Sequence, residues 1–385
     1  EPEHIVGIED TLVLTNLYPA YDNLYRNAFV HSRVCAYRKA GKKVSVYQLQ
    51  VGRKLYFDEF EGVSVFRGGV SALRKILTEG KVRRILVHFL NADMWEVLKD
   101  VPVDVRIIVW VHGAEIQPWT RRAFNYTSQA ELDKAKAQSD VRMSFWKHIF
   151  GNLPDNIHFV FVSQYLANEV MKDNNVILDK NKYSIIHNPI DTDLFSYHKK
   201  DIGQRYKLLS IRPFASRIYA NDLTVDCILK LSERKDFDKF SIRIVGNGPL
   251  FDKIVKPLCN MPNVTLEKTF LTHAEIVSLH RQYGVFLVPT RADTQGVSRD
   301  EAMASGLVPV TNAVTAIPEF VDDTCGILAP AEDAEAMAAG ISRLVNNPDL
   351  FLAMSKAAAE RVRRQTAANI SAEKEIDLIL ASQYT

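Results

Sequence analysis

Two carboxylates eight residues apart, Asp293 and Glu301, with Gly296 between them, sit in a stretch (289–308) that joins a strand end, a loop and a helix start. A glycine in such a loop lets backbone approach a bulky ligand with no Cβ in the way. Amides at the start of the helix, near Ser298, can face an anion. Ser298 and Glu301 also have capping-box spacing, so a purely structural role stands beside the chemical one. A second constellation is Arg212, directly after an apolar strand, and Arg217, five residues later in the following loop. Fixed cations at a cleft stabilise negative charge that accumulates on a departing group without having to reorganise. A third is His112-Gly113, just beyond the apolar run 107–111, where a histidine is placed for a cleft rather than a core. The turn Gly246-Asn247-Gly248 follows another apolar run and alone is ordinary turn chemistry.

The elements that must position these residues repeat along the chain. Apolar runs at 12–15, 44–47, 85–88, 107–111 and 158–162 read as strands, and their near-continuous apolarity suits a parallel sheet covered on both faces. Residues 24–41 carry apolar positions at helical spacing and end in Gly41, which makes a strand-helix-strand unit. The pattern returns with strands at 207–211, 241–245, 264–266, 285–288 and 307–310 and helices near 221–233, 250–258, 273–281 and 298–305. The expectation is α/β: two doubly wound, Rossmann-like domains facing across a cleft, with ligands at the carboxyl ends of the strands. The boundaries are read as 1–195 and 196–368, with a turn and polar stretch at 189–201 as hinge and the last helical segment, within 369–385, returning to the first domain.

Composition narrows the function classes. With 385 residues, 47% hydrophobic and 24% charged, the chain can bury two cores. A net charge of +2 with interleaved signs argues against a nucleic-acid partner. The basic clusters at 38–43 and 83–84 could touch a membrane surface peripherally, although solvated helix ends explain them as well. Cys35, Cys227, Cys259 and Cys325 are scattered without CxxC spacing, so neither a disulfide scaffold nor a thiolate metal site is expected, and a cytoplasmic setting fits best. No apolar run approaches the length of a spanning helix, and the start lacks signal-peptide grammar. Because the chain starts on Glu1, it is read as trimmed or as one module of a longer protein.

Taken with the segments 185–195, 315–320 and 326–330, these motifs make the second half resemble the nucleotide-binding domain of the retaining GT-B glycosyltransferases, glycosyltransferase family 4. The resemblance covers most of 183–330 and rests in the first half mainly on His112 and the strand order. It implies a sugar donor linked to UDP or GDP and a glycan or lipid-linked acceptor. It further implies surface-polysaccharide synthesis as the setting and no metal or coenzyme requirement. Glu301 would hold the donor ribose, Asp293 and His112 would lie by the transferred sugar, and Arg212 and Arg217 would stabilise the leaving diphosphate. Gly246, Asn247, Gly248, Gln295, Gly296 and Val297 would complete the nucleotide-sugar pocket. The sequence departs from the family at several places. Asp293 stands where glutamate is usual, Arg217 where lysine is usual, and Pro189 where glycine is usual after Asn188. An aromatic segment, 16–25, replaces the glycine-rich loop after the first strand, and its Tyr18 and Tyr25 suit either sugar stacking or core packing. The retaining class lacks a carboxylate nucleophile, so Asp293 and Glu301 are not read as a glycosidase-type acid and nucleophile. The alternatives are a non-catalytic carbohydrate-binding or scaffolding module of the same descent and a nucleotide-sugar hydrolase or epimerase. A dinucleotide dehydrogenase is disfavoured because no GxGxxG follows a first strand.

Overall fold

The computed structural model describes residues 7–23, 26–79 and 81–381, and the apolar runs form two separate sheets. The first half gives β1 (Thr11–Thr15), α1 (Ala28–Lys39), β2 (Ser45–Leu49), β3 (Tyr56–Phe60), β4 (Val63–Gly68), α2 (Val70–Thr78), β5 (Arg84–His88) and α3 (Ala92–Leu98). It continues with β6 (Arg106–Val111), α4 (Gln129–Gly151), β7 (Ile157–Phe161), α5 (Gln164–Asp173) and β8 (Tyr183–Ile185). The second half gives β9 (Lys207–Ile211), α6 (Asn221–Leu231), β10 (Ser241–Gly246), α7 (Phe251–Val255), β11 (Val264–Lys268), α8 (His273–Gln282), β12 (Val285–Leu287) and α9 (Val297–Ala304). After these come β13 (Val308–Asn312), α10 (Ile317–Phe320), β14 (Ile327–Ala329), α11 (Ala334–Asn346), α12 (Pro348–Gln365) and α13 (Ala368–Leu380).

The first sheet has the order β3-β4-β2-β1-β5-β6-β7-β8 and is parallel except for β3, which runs antiparallel to β4. The second, β11-β10-β9-β12-β13-β14, is wholly parallel. Every residue of β1, β2 and β13 is buried, which is why these strands read as unbroken apolar runs rather than alternating ones. In each sheet the chain starts in the middle and winds both ways, so β1/β5 and β9/β12 are the points where the order reverses. A crevice opens there because the flanking connections leave on opposite faces.

Several elements were not legible in advance. The β3–β4 hairpin, β8, β14 and the long α4 were not anticipated, and α1 begins at Ala28 rather than at 24. Leu24 and Tyr25, where the aromatic segment ends, lie outside the described residues, as does residue 382. Tyr18 proves to be a core residue: it is fully buried, and its hydroxyl meets His31 Nδ1 at 2.7 Å. No helix among the described residues is long and apolar enough to cross a membrane.

α13 lies against the first sheet. Glu375 on it is 2% exposed and accepts from Arg33 Nε at 2.8 Å, Trp110 Nε1 at 3.1 Å and the Tyr37 hydroxyl. Burying a carboxylate this deeply is tolerable because both of its oxygens find donors and one donor is a guanidinium cation.

Candidate active site between the two sheets

The reversal point of the second sheet assembles the residues that the sequence singled out there. β9 ends at Ile211, so Arg212 emerges at its carboxyl end. β12 ends at Leu287, and the chain then runs through Thr290 and Asp293 into α9. Arg212 is 5% exposed; its Nη2 donates to Pro289 O at 3.3 Å, its guanidinium lies 5.2 Å from the Tyr219 ring centroid, and its buried Nε has no partner. Burial lowers its pKa from the ordinary arginine value, and the nearby Asp293 carboxylate opposes that shift. Asp293 is held from both sides of its own backbone. Its N–H donates to the Thr315 hydroxyl and its carbonyl accepts from it, both at 2.9 Å, while Oδ1 accepts from Gln295 N at 3.2 Å.

The turn after β10 braces the Arg212 loop. Phe214 N donates to Asn247 O at 2.8 Å, and a Cβ on Gly246 or Gly248 would collide with backbone of the 212–215 segment. The small residues of this turn thus follow from loop-on-loop packing. Arg217 sits on a single 3₁₀ turn (Arg217–Tyr219) capped by Ser216, and its side chain is exposed and not among those lining the cleft beside Arg212.

At α9 the helix opens on Gly296 with φ of +102° and no side-chain cap, so Ser298 and Glu301 do not form a capping box. A Cβ on Gly296 would lie 2.6 Å from Arg299 Nη1, which adds a reason for glycine that the sequence reading lacked: room for a guanidinium of the same helix. Arg299 and Asp300 are a buried ion pair, Nη2 to Oδ1 2.7 Å, with side chains 1% and 2% exposed. The Gln295 side chain is turned away to Asn188. Its Oε1 accepts from Asn188 N at 2.7 Å, and its Nε2 donates to Asn188 O at 3.0 Å and to Asp300 Oδ2 at 3.1 Å. Val297 is 38% exposed at the first helical position. For Glu301, burial and then the neighbouring Asp300 and Asp191 charges push the pKa up to about 7.

The first sheet supplies the opposite wall. His112 follows β6, and its Nε2 lies 3.1 Å from His88 Nδ1 at the end of β5, with the Phe29, Phe89 and His88 rings packed around it. Burial, followed by the Arg33 cation, pushes the His112 pKa down to about 3, which favours the neutral imidazole at physiological pH. The contact with His88 means that one ring must donate to the other, which constrains the His112 tautomer. Glu115 clamps the loop: Oε1 accepts from His112 N at 2.6 Å and Oε2 from Gly113 N at 2.9 Å, and burial raises its pKa.

The two walls touch. The Thr294 hydroxyl donates to His112 O at 3.2 Å, and Gly113 (φ +131°) comes so close to Thr294 that a Cβ would lie 2.9 Å from its Cγ2. The Ser216 hydroxyl donates to Asn125 Oδ1 at 2.7 Å, and Glu319 caps the start of α5 by accepting from Gln164 N at 2.8 Å and Tyr165 N at 3.1 Å. Between them lies a cleft of about 200 Å³ lined by Arg212, Asp293 and Thr294 from one side and by Gln117, Arg121 and Arg122 from the other. Arg121, Arg122, Gln117 and Tyr165 were not anticipated. The Arg121-Arg122 pair, nine residues past His112, was the available signal. His88 had one too, since it ends a strand just as His112 follows one.

Residues 207–347 match the family model described as glycosyl transferases group 1. An uncharacterised glycosyltransferase of Methanocaldococcus jannaschii is 26% identical over 196 residues, which is 50% of each chain, so the match spans about half the length of that relative. Among solved structures, a sucrose-phosphate synthase of Thermosynechococcus elongatus superposes with a TM-score of 0.73 at 15% identity, covering 96% of this chain and 98% of that one. An Anabaena protein, HepE, solved in complex with UDP and glucose, superposes with a TM-score of 0.65 at 12% identity, covering 96% and 99%. The solved structures establish a GT-B fold, and the family-model match and the curated relative support a glycosyltransferase.

Proposed function

We propose that this chain is a retaining glycosyltransferase that moves a sugar from a nucleoside-diphosphate donor, UDP- or GDP-linked, to a glycan or lipid-linked acceptor. The observation that carries the reading is the convergence of Arg212 and Asp293, at the reversal point of one sheet, with the His112 loop of the other across a direct contact at Thr294. Supporting it are the family-model match over the second sheet and the UDP and glucose with which the similarly folded Anabaena protein was solved.

In this reading the diphosphate lies against the start of α9, which has no side-chain cap, and beside Arg212. Arg212 is already desolvated and has an unpartnered Nε, so charge developing on the departing phosphate meets a preorganised cation. Arg217, exposed on its 3₁₀ turn, reaches the diphosphate only by swinging in, which is a role for a donor-bound state. Glu301 in its ionised form accepts from the ribose hydroxyls. The neutral His112 and Asp293 flank the sugar, and the acceptor hydroxyl attacks from the face the diphosphate leaves, passing its proton to the leaving phosphate. No metal or coenzyme is required. Synthesis of surface polysaccharide at the cytoplasmic face of a membrane is the setting this chemistry suits.

Incubation with UDP- and GDP-sugars, with release of nucleoside diphosphate followed by ³¹P NMR and product anomer by ¹H NMR, tests the reading. Diphosphate release with an α-configured product from an α-configured donor is expected. An inverted product would refute retention, and the absence of any release from every donor would refute transfer.

A further inference from the structure

His112 is gripped from the end of the adjacent strand. His88 closes β5 and is 1% exposed, and its Nδ1 lies 3.1 Å from His112 Nε2. The two rings are inclined by only 21°, with their centroids 5.4 Å apart. That separation is what two imidazoles show when a nitrogen of one points straight at a nitrogen of the other, so the contact is an in-plane hydrogen bond rather than a face-to-face stack. Trp110 lies against the His88 ring in turn, 4.9 Å between centroids at 23°. The next residue, Phe89, adopts φ of +58°, a left-handed conformation that is costly for a bulky side chain. Its ring lies 4.6 Å from that of His112, and Phe29 meets the same imidazole edge-on at 4.9 Å. Backbone strain spent on enclosing one imidazole points to a functional constraint on that ring.

With Nε2 taken by His88, Nδ1 is the His112 nitrogen left to meet a ligand. Two proton arrangements satisfy the contact. If His88 donated, both rings would carry their proton on Nδ1; if His112 donates, both carry it on Nε2, the form that a free neutral histidine side chain prefers. We propose that His88 is a positioning residue for His112: it accepts from His112 Nε2–H, fixes that tautomer, and so presents an unprotonated Nδ1 that accepts a hydrogen bond from a hydroxyl of the transferred sugar. This rests on the glycosyl-transfer reading and assigns, within it, the polarity of one sugar contact and the residue that sets it.

Two-bond ¹H–¹⁵N correlations of full chain labelled with ¹⁵N in its histidine rings test this at pH 7, with the His112 signals identified by their loss in His112→Gln. A protonated Nε2 and an unprotonated Nδ1 are expected on His112. In His88→Phe, which keeps a ring against Trp110, the two nitrogens should move toward the averaged shifts of exchanging tautomers. Unchanged signals from the remaining histidines show that the variant is folded. With a donor that is turned over, His88→Phe should lower kcat about 10- to 100-fold while nucleotide affinity stays within about twofold. His88→Asn, which keeps a side-chain acceptor at that position, should recover part of the loss. A proton on His112 Nδ1 in the parent overturns the proposal, and so does a His112 tautomer or a kcat that His88→Phe leaves unchanged. Failure of every donor to be transferred counts against the glycosyl-transfer reading instead, and the tautomer measurement still decides what His88 does to His112.

Discussion

At Glu301 the environment and the proposed task pull in opposite directions. Burial and the neighbouring Asp300 and Asp191 charges raise its pKa to about 7, whereas a ribose-binding carboxylate must be ionised. Nucleotide affinity should therefore fall as pH drops through about 7, by up to about tenfold per unit. Glu301→Gln should bind more weakly at pH 8 and lose that dependence; a calorimetric pH series reads both. The stability sign is the reverse. Between the ordinary carboxylate value and 7, the folded state keeps a proton that the unfolded chain gives up, so this group's contribution declines as pH rises. At pH 8 Glu301→Gln should melt at or above the parent, and a lower melting temperature there would contradict the assigned burial. At His112 the depressed pKa predicts no titration of the imidazole between pH 5 and 8, checked by its ¹³C–H resonances.

At the level of elements, the loop from β12 into α9 is the part most tightly specified. Gly296 combines a left-handed φ with the Arg299 guanidinium where a side chain would stand, so Gly296→Ala should cost roughly 1–3 kcal/mol of stability. Urea unfolding reads this, and a loss near zero would mean that the helix start is not constrained as described. Much of this layer was legible in the sequence because parallel strands buried on both faces leave unbroken apolar runs, as at Ile107–Val111. What hid was shaped differently. β3 is an exposed edge strand with only Phe60 buried, and α4 spans 23 residues but buries little beyond Ala135, Ser139, Trp146 and Ile149, so neither shows a strong apolar face. The site was legible where chemistry follows a strand end, as at Arg212 and His112. It was not legible where a role depends on a partner far along the chain: nothing local says that Gln295 turns to Asn188 or that Glu319 caps α5.

Across the whole molecule, buried polar contacts run from the last helix to the donor loop. Glu375 on α13 holds Arg33 on α1, Arg33 Nη2 donates to Asn188 at 2.8 Å, Asn188 is paired with Gln295, and Gln295 reaches Asp300 on α9. Ile190 and Ala367 form a backbone bridge beside this path. The chain thus crosses between domains twice at one place, and the relative placement of His112 and Arg212 depends on those crossings. Glu375→Ala leaves Arg33 buried with its charge uncompensated and should destabilise by about 3–5 kcal/mol, read by denaturant unfolding; Glu375→Gln should be milder because it retains a hydrogen-bond acceptor. Whether Arg212 and Glu301 hold the donor nucleotide is read by calorimetric titration with UDP, GDP and ADP of the parent, Arg212→Ala and Glu301→Ala. Binding of one nucleotide, weakened about 10- to 100-fold in each variant, is predicted. Binding that survives both substitutions, or no binding of any of the three to folded protein, would contradict it.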